Sequence, residues 1–273
     1  MDLPKITIVT PSYNQADFLE ETILSIIRQD YPRLEHIVMD GGSTDGSVEI
    51  IKKYAQHLTH WYSGPDDGQS DAIMKGFERG SGELMNWINS DDLLFPGALK
   101  AMAKCWQENP EADLYSGAQG YCDGEGRVTR ISCPPTGAAF SLSGWMIPIG
   151  QQATFFSRDA YEKVGGLRKD FHAIMDQDLY YRVLQAGGLV GKTNEPVGMI
   201  RYHEAAKTSA QRDLWHAEIP KFMQANGVSP FRHRLAKIKM RLVRMIDGSY
   251  ARSMKMTRKW QGRKVFEAFD HER

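Results

Sequence analysis

Glu83-Leu84-Met85-Asn86-Trp87-Ile88-Asn89-Ser90-Asp91-Asp92 is a short apolar run that stops on two adjacent carboxylates. Runs of this length rich in Ile, Leu and aromatics read as buried strands. A strand with this ending delivers Asp91 and Asp92 to one lip of a sheet on a rigid support. Open α/β sheets bind ligands at the carboxyl ends of their strands. Carboxylate oxygens are hard ligands, suited to Mg²⁺ or Mn²⁺ rather than to zinc. The same pair could instead cap the helix that Pro96 announces, because Asp favours helix starts. On these residues alone the two readings weigh equally.

The flanking sequence repeats the pattern. Lys5 to Thr10 reads as a buried strand breaking into the polar loop Pro11-Ser12-Tyr13-Asn14. A helix capped by Asp17 follows to Gln29, with Leu19, Ile23, Ile26 and Ile27 on one face. Leu34 to Met39 is a second strand, ending on Asp40 and the turn Gly41 to Gly46. Helical spacing from Ser47 to about Leu58 leads to a short strand, His60 to Tyr62, closed by Gly64-Pro65-Asp66-Asp67-Gly68. A helix from Gln69 to Arg79 precedes the opening run, and another from Pro96 to Glu108 follows it. Strands and helices alternating over short turns predict a doubly wound, Rossmann-like α/β sheet with helices on both faces. No G-x-G-x-x-G follows the first strand, which disfavours a dehydrogenase-type dinucleotide site. Asp40, Asp66 and Asp91-Asp92 at successive ends of one sheet form an acidic rim that repels itself unless a cation neutralises it.

Further on, Leu114 to Gly117 and Ala153 to Phe156 read as strands and Asp123 to Gly126 as a hairpin turn. Ser132 to Gln152, with its lone Trp145, has no steady period and reads as a functional or disordered loop. In the helix opening near Met175, Asp178 and Arg182 stand four apart, acid first, and can pair along its surface. That accounts for Asp178 and leaves Asp176 with nothing beyond capping. Val197 to His203 closes this part as a strand.

The 273 residues fit one large domain, or one domain with an appendage. A hydrophobic content of 41% with 25% charged residues is ordinary for a soluble protein. No apolar run approaches a membrane span, and Met1 to Lys5 carries no signal-peptide pattern. Cys105, Cys122 and Cys133, odd in number and far apart, suggest reduced thiols in a cytoplasmic setting and offer no metal-site spacing. The zero net charge hides an asymmetry: residues 228–273 hold 13 Lys+Arg against 4 Asp+Glu, a balance of +9 against −9 for the rest. We therefore divide the chain into a domain of residues 1–227 and a basic helical extension of residues 228–273.

Taken together, Thr10-Pro11-Ser12-Tyr13-Asn14, Asp40-Gly41-Gly42-Ser43-Thr44-Asp45-Gly46, Pro65-Asp66 with Gly68 and Asp71-Ala72, and Asn89-Ser90-Asp91-Asp92 resemble glycosyltransferase family 2 in order and spacing. Gln152 to Phe156, Met175 to Leu179 with Arg182, and Arg201 with His203 extend the resemblance over roughly residues 5–210. It implies a GT-A fold and transfer of a sugar, with inversion, from a nucleotide-sugar donor (a UDP-sugar is the first choice) to a hydroxyl acceptor, a saccharide or lipid-linked saccharide. Polysaccharide or glycolipid biosynthesis is the setting it suggests.

By the same resemblance Asp176 is the general base, and Asp92 with His203 holds Mn²⁺ or Mg²⁺. Pro11, Ser12, Tyr13, Asn14, Asp40, Asp66, Gly68, Asp71, Lys75, Asn89 and Asp91 would bind the nucleotide. Trp145, Gln152 and Arg201 would face the sugar or acceptor. The chain departs from the family at Met74-Lys75-Gly76, where relatives often have Asn-Lys-Gly, and at Met175-Asp176, where they commonly have Glu-Asp.

Two rivals deserve weighing. A nucleotidyltransferase would need a basic phosphate loop after the first strand, and Pro11 to Asn14 has no Lys or Arg. A catalytically silent sugar- or nucleotide-binding module would have little use for both Asp92 and Asp176. From Phe231 to Ile246 an apolar stripe of Leu235, Ile238, Leu242 and Met245 lies among Arg and Lys. It reads as a peripheral membrane contact at the inner face, as a surface docking on the acidic body, or as a partner helix. No nucleic-acid module accompanies the charge.

Overall fold

A computed structural model describes residues 2–135, 147–203 and 212–269. The chain begins β1 (Ile6–Ser12), α1 (Ala16–Ile27), β2 (Leu34–Asp40), α2 (Ser47–Tyr54), β3 (His60–Ser63), α3 (Gln69–Arg79) and β4 (Leu84–Trp87). It continues β5 (Leu93–Leu94), α4 (Ala98–Glu108), β6 (Leu114–Cys122), β7 (Val128–Ser132), β8 (Thr154–Ser157), α5 (Arg158–Lys163), α6 (Met175–Gln185) and β9 (Val190–Arg201). Four helices end it: α7 (Arg212–Ala225), α8 (Pro230–Ile246), α9 (Ser249–Trp260) and α10 (Val265–Ala268).

The strands form one mixed sheet in the order β3-β2-β1-β4-β8-β6-β9-β5, with β7 paired to β6. The first four are parallel, β8 runs antiparallel to both β4 and β6, and β6 returns to parallel pairing with β9. Alternation along β1 and β2 sorts side chains between the faces. Val9, Ile37 and Met39 join the core under α3, α5, α6 and α7. Ile6 and Ile8 join α4 on the other face, where Val38 meets α1 and α2. Gly76 of α3 lies where a Cβ would stand 2.5 Å from Val9 Cγ1, so only glycine lets α3 approach β1 this closely.

Several boundaries shift from the sequence expectation. β1 runs through Pro11 and Ser12, which pair with Met39 and Asp40. Residues 123–126 make the expected turn between β6 and β7. β9 begins at Val190 rather than Val197, because Lys192 to Pro196 carry no apolar signal and are held in register by β6. Asp17 lies in the first turn of α1 but does not cap it; Asp45 Oδ2 instead accepts from Ala16 N at 2.9 Å, joining the second loop to the first.

The basic extension packs on the body. Val265 and Phe269 are buried in a cluster with Leu93, Phe95, Cys122, Val128 and Met199, while Trp260 stands edge-on to Phe95 at 5.0 Å. Thr257 and Ser253 accept from the β7-side backbone N–H groups of Ile131 and Cys133 at 2.9 Å. Packing therefore crosses the charge boundary at residue 227. The three cysteines are buried and unpaired, and no described helix is long and apolar enough to cross a membrane.

Candidate active site

β4 stops at Trp87, short of the expected end, and residues 88–92 turn back into β5. β5 pairs antiparallel with β9, Leu93 opposite Met199. That register, not β4 itself, sets Asp91 and Asp92 against Arg201 and His203.

The two carboxylates then separate. Asp92 is 1% exposed, and N–H donors surround it: Gln152 Nε2 at 2.6 Å and Asn89 Nδ2 at 2.9 Å on Oδ2, and Arg201 N at 3.1 Å on Oδ1. Burial and then the charge of Asp91 raise its pKa, while these donors pull it down by favouring the ionised form. Asp91 is more open, and its Oδ2 stands 3.1 Å from His203 Nε2, whose ring packs 4.2 Å from Phe18. An octahedral ion with bonds of about 2.1 Å spaces adjacent donors by about 3 Å. The separation between Asp91 and His203 suits one cation; on Asp92, Oδ2 already takes two donors while Oδ1 takes one and keeps a lone pair. Among the described residues no third His, Cys, Asp or Glu completes a metal cluster, in keeping with ions that take one or two protein carboxylates and fill the rest with phosphate and water.

Asp176 enters from the opposite part of the chain. It lies in the first turn of α6, whose N-cap position is Ile174 with no side-chain cap bond. Asp176 therefore stands two residues past the N-cap rather than at it. Asp178, two residues on, is fully buried between Arg182 Nε at 2.8 Å and Arg168 Nη1 at 3.2 Å, the first being the expected i,i+4 pair. Met175 packs into the core and accepts from Ser70 Oγ at 3.0 Å, so this family departure has become a packing contact.

Asp91, Asp92, Asp176, Pro11, Ser12, Tyr13, Asp66, Gly68, Asn89, Gln152 and Arg201 all line a single cavity of about 1010 Å³. Its floor beside Tyr13 is Gly41, where a Cβ would stand 2.9 Å from Asp66 Oδ2 and 3.3 Å from the Tyr13 ring. Tyr13 is largely exposed above it.

Other expected ligands are engaged elsewhere. Asp40 is buried beneath its turn, accepting from Gly42 N, Ser43 N and Ser63 Oγ. Asn14 accepts from Thr44 N, tying two loops together. Asp71 is buried and bridges Lys169 and Lys75 at 2.6 Å each; the two ammonium groups, Lys169 first, hold its pKa far below the usual carboxylate range. Arg201, though it lines the cavity, gives its guanidinium to Glu21, the Asp91 carbonyl and the Gly124 carbonyl. Trp145 lies outside the described residues.

Sequence reasoning passed over Glu218. From α7, its buried carboxylate accepts from His172 N (2.8 Å), Ala173 N (2.9 Å) and Ile174 N (3.2 Å), fixing the backbone that leads into Asp176. Trp215, one turn earlier, lines the cavity, as do Gln119, Tyr121 and Gln151. No spacing in the sequence connects these residues to the carboxylates.

The glycosyl transferase family 2 model matches residues 7–165. The chain belongs to this family. Among relatives of this glycosyltransferase, an uncharacterised glycosyltransferase of Mycobacterium tuberculosis is 32% identical over 183 residues, 66% of this chain and 68% of its own length. The O-antigen biosynthesis protein RfbC of Myxococcus xanthus is 26% identical over 212 residues, 76% of this chain and 16% of its own. The GT-A fold is shared with S. aureus TarS in complex with UDP-GlcNAc (TM-score 0.61, 18% identity, 76% of this chain and 61% of that one). It is shared also with the mannosyltransferase PcManGT of Pyrobaculum calidifontis in complex with GDP-Man and Mn²⁺ (TM-score 0.66, 18% identity, 100% and 80%).

Proposed function

We propose that this family 2 glycosyltransferase moves a sugar from a nucleoside diphosphate sugar to a hydroxyl of a saccharide or lipid-linked saccharide, with inversion, in polysaccharide or glycolipid assembly. The observation that carries the reading is one cavity lined by both Asp91, paired with His203, and Asp176, on separate elements. Its volume, at the upper end for small-molecule pockets, supports a site for donor and acceptor together. The naming of one relative for O-antigen biosynthesis supports the saccharide setting.

In this reading Tyr13 stacks on the base, while Asp66 and Ser12 accept hydrogen bonds from base and ribose. Asp91 with His203, beside the Asp92 that the resemblance suggests, would hold Mn²⁺ or Mg²⁺. When bound, the ion supplies Lewis-acid stabilisation of charge on the departing diphosphate. Asp176 takes the acceptor hydroxyl proton as that oxygen attacks the anomeric carbon. The bond from that carbon to the diphosphate oxygen breaks, and the diphosphate leaves with the electron pair. Glu218, by holding the backbone of residues 172–174, is a positioning residue for Asp176.

A panel of UDP- and GDP-sugars, scored by thermal shift with and without Mn²⁺ and then by release of nucleoside diphosphate, tests the proposal. A donor should stabilise the protein more with Mn²⁺ and be turned over with a suitable hydroxyl acceptor. Stabilisation by a donor with no turnover against any saccharide or lipid-linked acceptor would favour the silent binding module.

A further inference from the structure

Helix α8 carries an apolar face that the rest of the described protein leaves uncovered. Phe231, Leu235, Ile238, Leu242, Met245 and Ile246 are between 42% and 86% exposed. At 100° per residue they fall within an arc of about 100°, a continuous stripe along all four turns. Ala236, on the opposite side, is buried. Tyr250 and Met254 of α9 prolong the exposed surface past the corner, with Arg258 one turn further on. The corner itself is fixed: Arg244 reaches Ser132 Oγ at 3.0 Å and stacks 4.9 Å from the Tyr250 ring. The stripe is thus held on a body whose packing continues through α9 and α10.

Charge identifies what would cover it. Between Pro230 and Ile246 there are six Lys and Arg residues and no Asp or Glu. Exposed Arg234 and Arg241 border the stripe on one side and exposed Lys239 borders it on the other. Pairing α8 with its own copy would bring like charges together along both margins. An apolar stripe with basic borders instead matches an anionic lipid surface, which takes apolar side chains at the acyl boundary and bases among the headgroups. We propose that α8, continued by the exposed face of α9, is a docking surface for anionic phospholipid membrane. The surface brings the enzyme to the interface where a lipid-linked acceptor would reside, yet it does not depend on the transfer reading.

Co-sedimentation of the full chain with phosphatidylcholine vesicles, with and without phosphatidylglycerol, tests this. The chain should bind the anionic vesicles, release in high salt, and stay in solution with phosphatidylcholine alone. Leu235→Ser/Ile238→Ser/Leu242→Ser should weaken binding roughly a hundredfold or more, and Arg234→Gln/Arg241→Gln roughly thirtyfold. Because these side chains are exposed, both variants should melt like wild type. Failure to bind anionic vesicles at low salt, or equal binding by both variants, overturns the proposal. So does a wild-type dimer that the triple-serine variant converts to monomer, since the stripe would then be a subunit interface. Donor-induced thermal shifts in the same samples report the transfer site separately.

Discussion

Asp91–Asp92 at the turn after β4 and Asp176–Asp178 at the start of α6 are built alike. Each has one more open member on the cavity wall and one buried member held by donors, although Asp92 also lines the cavity and Asp178 does not. Asp92 accepts from three N–H groups, and Asp178 lies between two guanidinium groups. The supports differ in kind. Asp92 joins the β4–β5 turn to β9 through neutral amides and backbone, whereas Asp178 joins α6 to the preceding loop through full charges. The contrast teaches that a buried carboxylate can join two elements either through neutral donors or through full charges. In the proposed reading the more open member of each pair is the one that meets metal or proton.

The largest stability effect should separate the two buried members. Asp178→Asn leaves two guanidinium groups facing a neutral amide, and breaking a buried pair costs about 3–5 kcal/mol. Chemical denaturation should read that loss. A loss no larger than that of Asp176→Asn would erase the distinction between the members of this pair.

A smaller effect is expected at the other pair. Asp92→Asn turns an amide N–H₂ toward existing donors and should lower stability by about 1–3 kcal/mol. Asp91→Asn should leave stability within about 0.5 kcal/mol and abolish the Mn²⁺-dependent part of the nucleoside diphosphate shift. The reverse pattern would return the metal to Asp92.

How much of this was legible beforehand follows from the type of contact. Tight alternation in β1–β4 and α1–α3 predicts the parallel half of the sheet, because those elements satisfy themselves locally. The Asp178–Arg182 pair is also local, set by helical spacing. The division between Asp91 and Asp92 is not: it depends on β5 pairing with β9, more than 100 residues away in sequence, which brings Arg201 N to Asp92. Glu218 is hidden for the same reason, since its three donors come from a loop more than 40 residues earlier. Charge composition marks the tail but not Val265 and Phe269, whose burial needs the partner surface on β5 to β7.

A pH effect guards the comparison against a buried group outside the cavity. His36 is fully buried against Thr10 Oγ1, and burial pushes its pKa down to about 3. The unfolded chain therefore binds a proton that the folded chain refuses between about pH 6.5 and 3, so this contribution falls as pH falls. It amounts to about 1.4 kcal/mol by pH 5.5. Asp92, raised by burial, acts with the opposite sign. The readout is thus the difference between wild type and His36→Gln, which should narrow on acidification. A constant difference would assign the acid sensitivity elsewhere.

The central claim is that the more open carboxylate at the α6 start takes the acceptor proton. The most direct measurement is the transfer rate of Asp176→Asn at saturating donor and Mn²⁺, with unfolding free energy and donor shift recorded on the same protein. Stability and donor binding should match wild type, since Asp176 does not cap its helix, while transfer should slow by roughly 10² or more. Transfer at the wild-type rate by a folded, donor-binding Asp176→Asn protein would contradict the account.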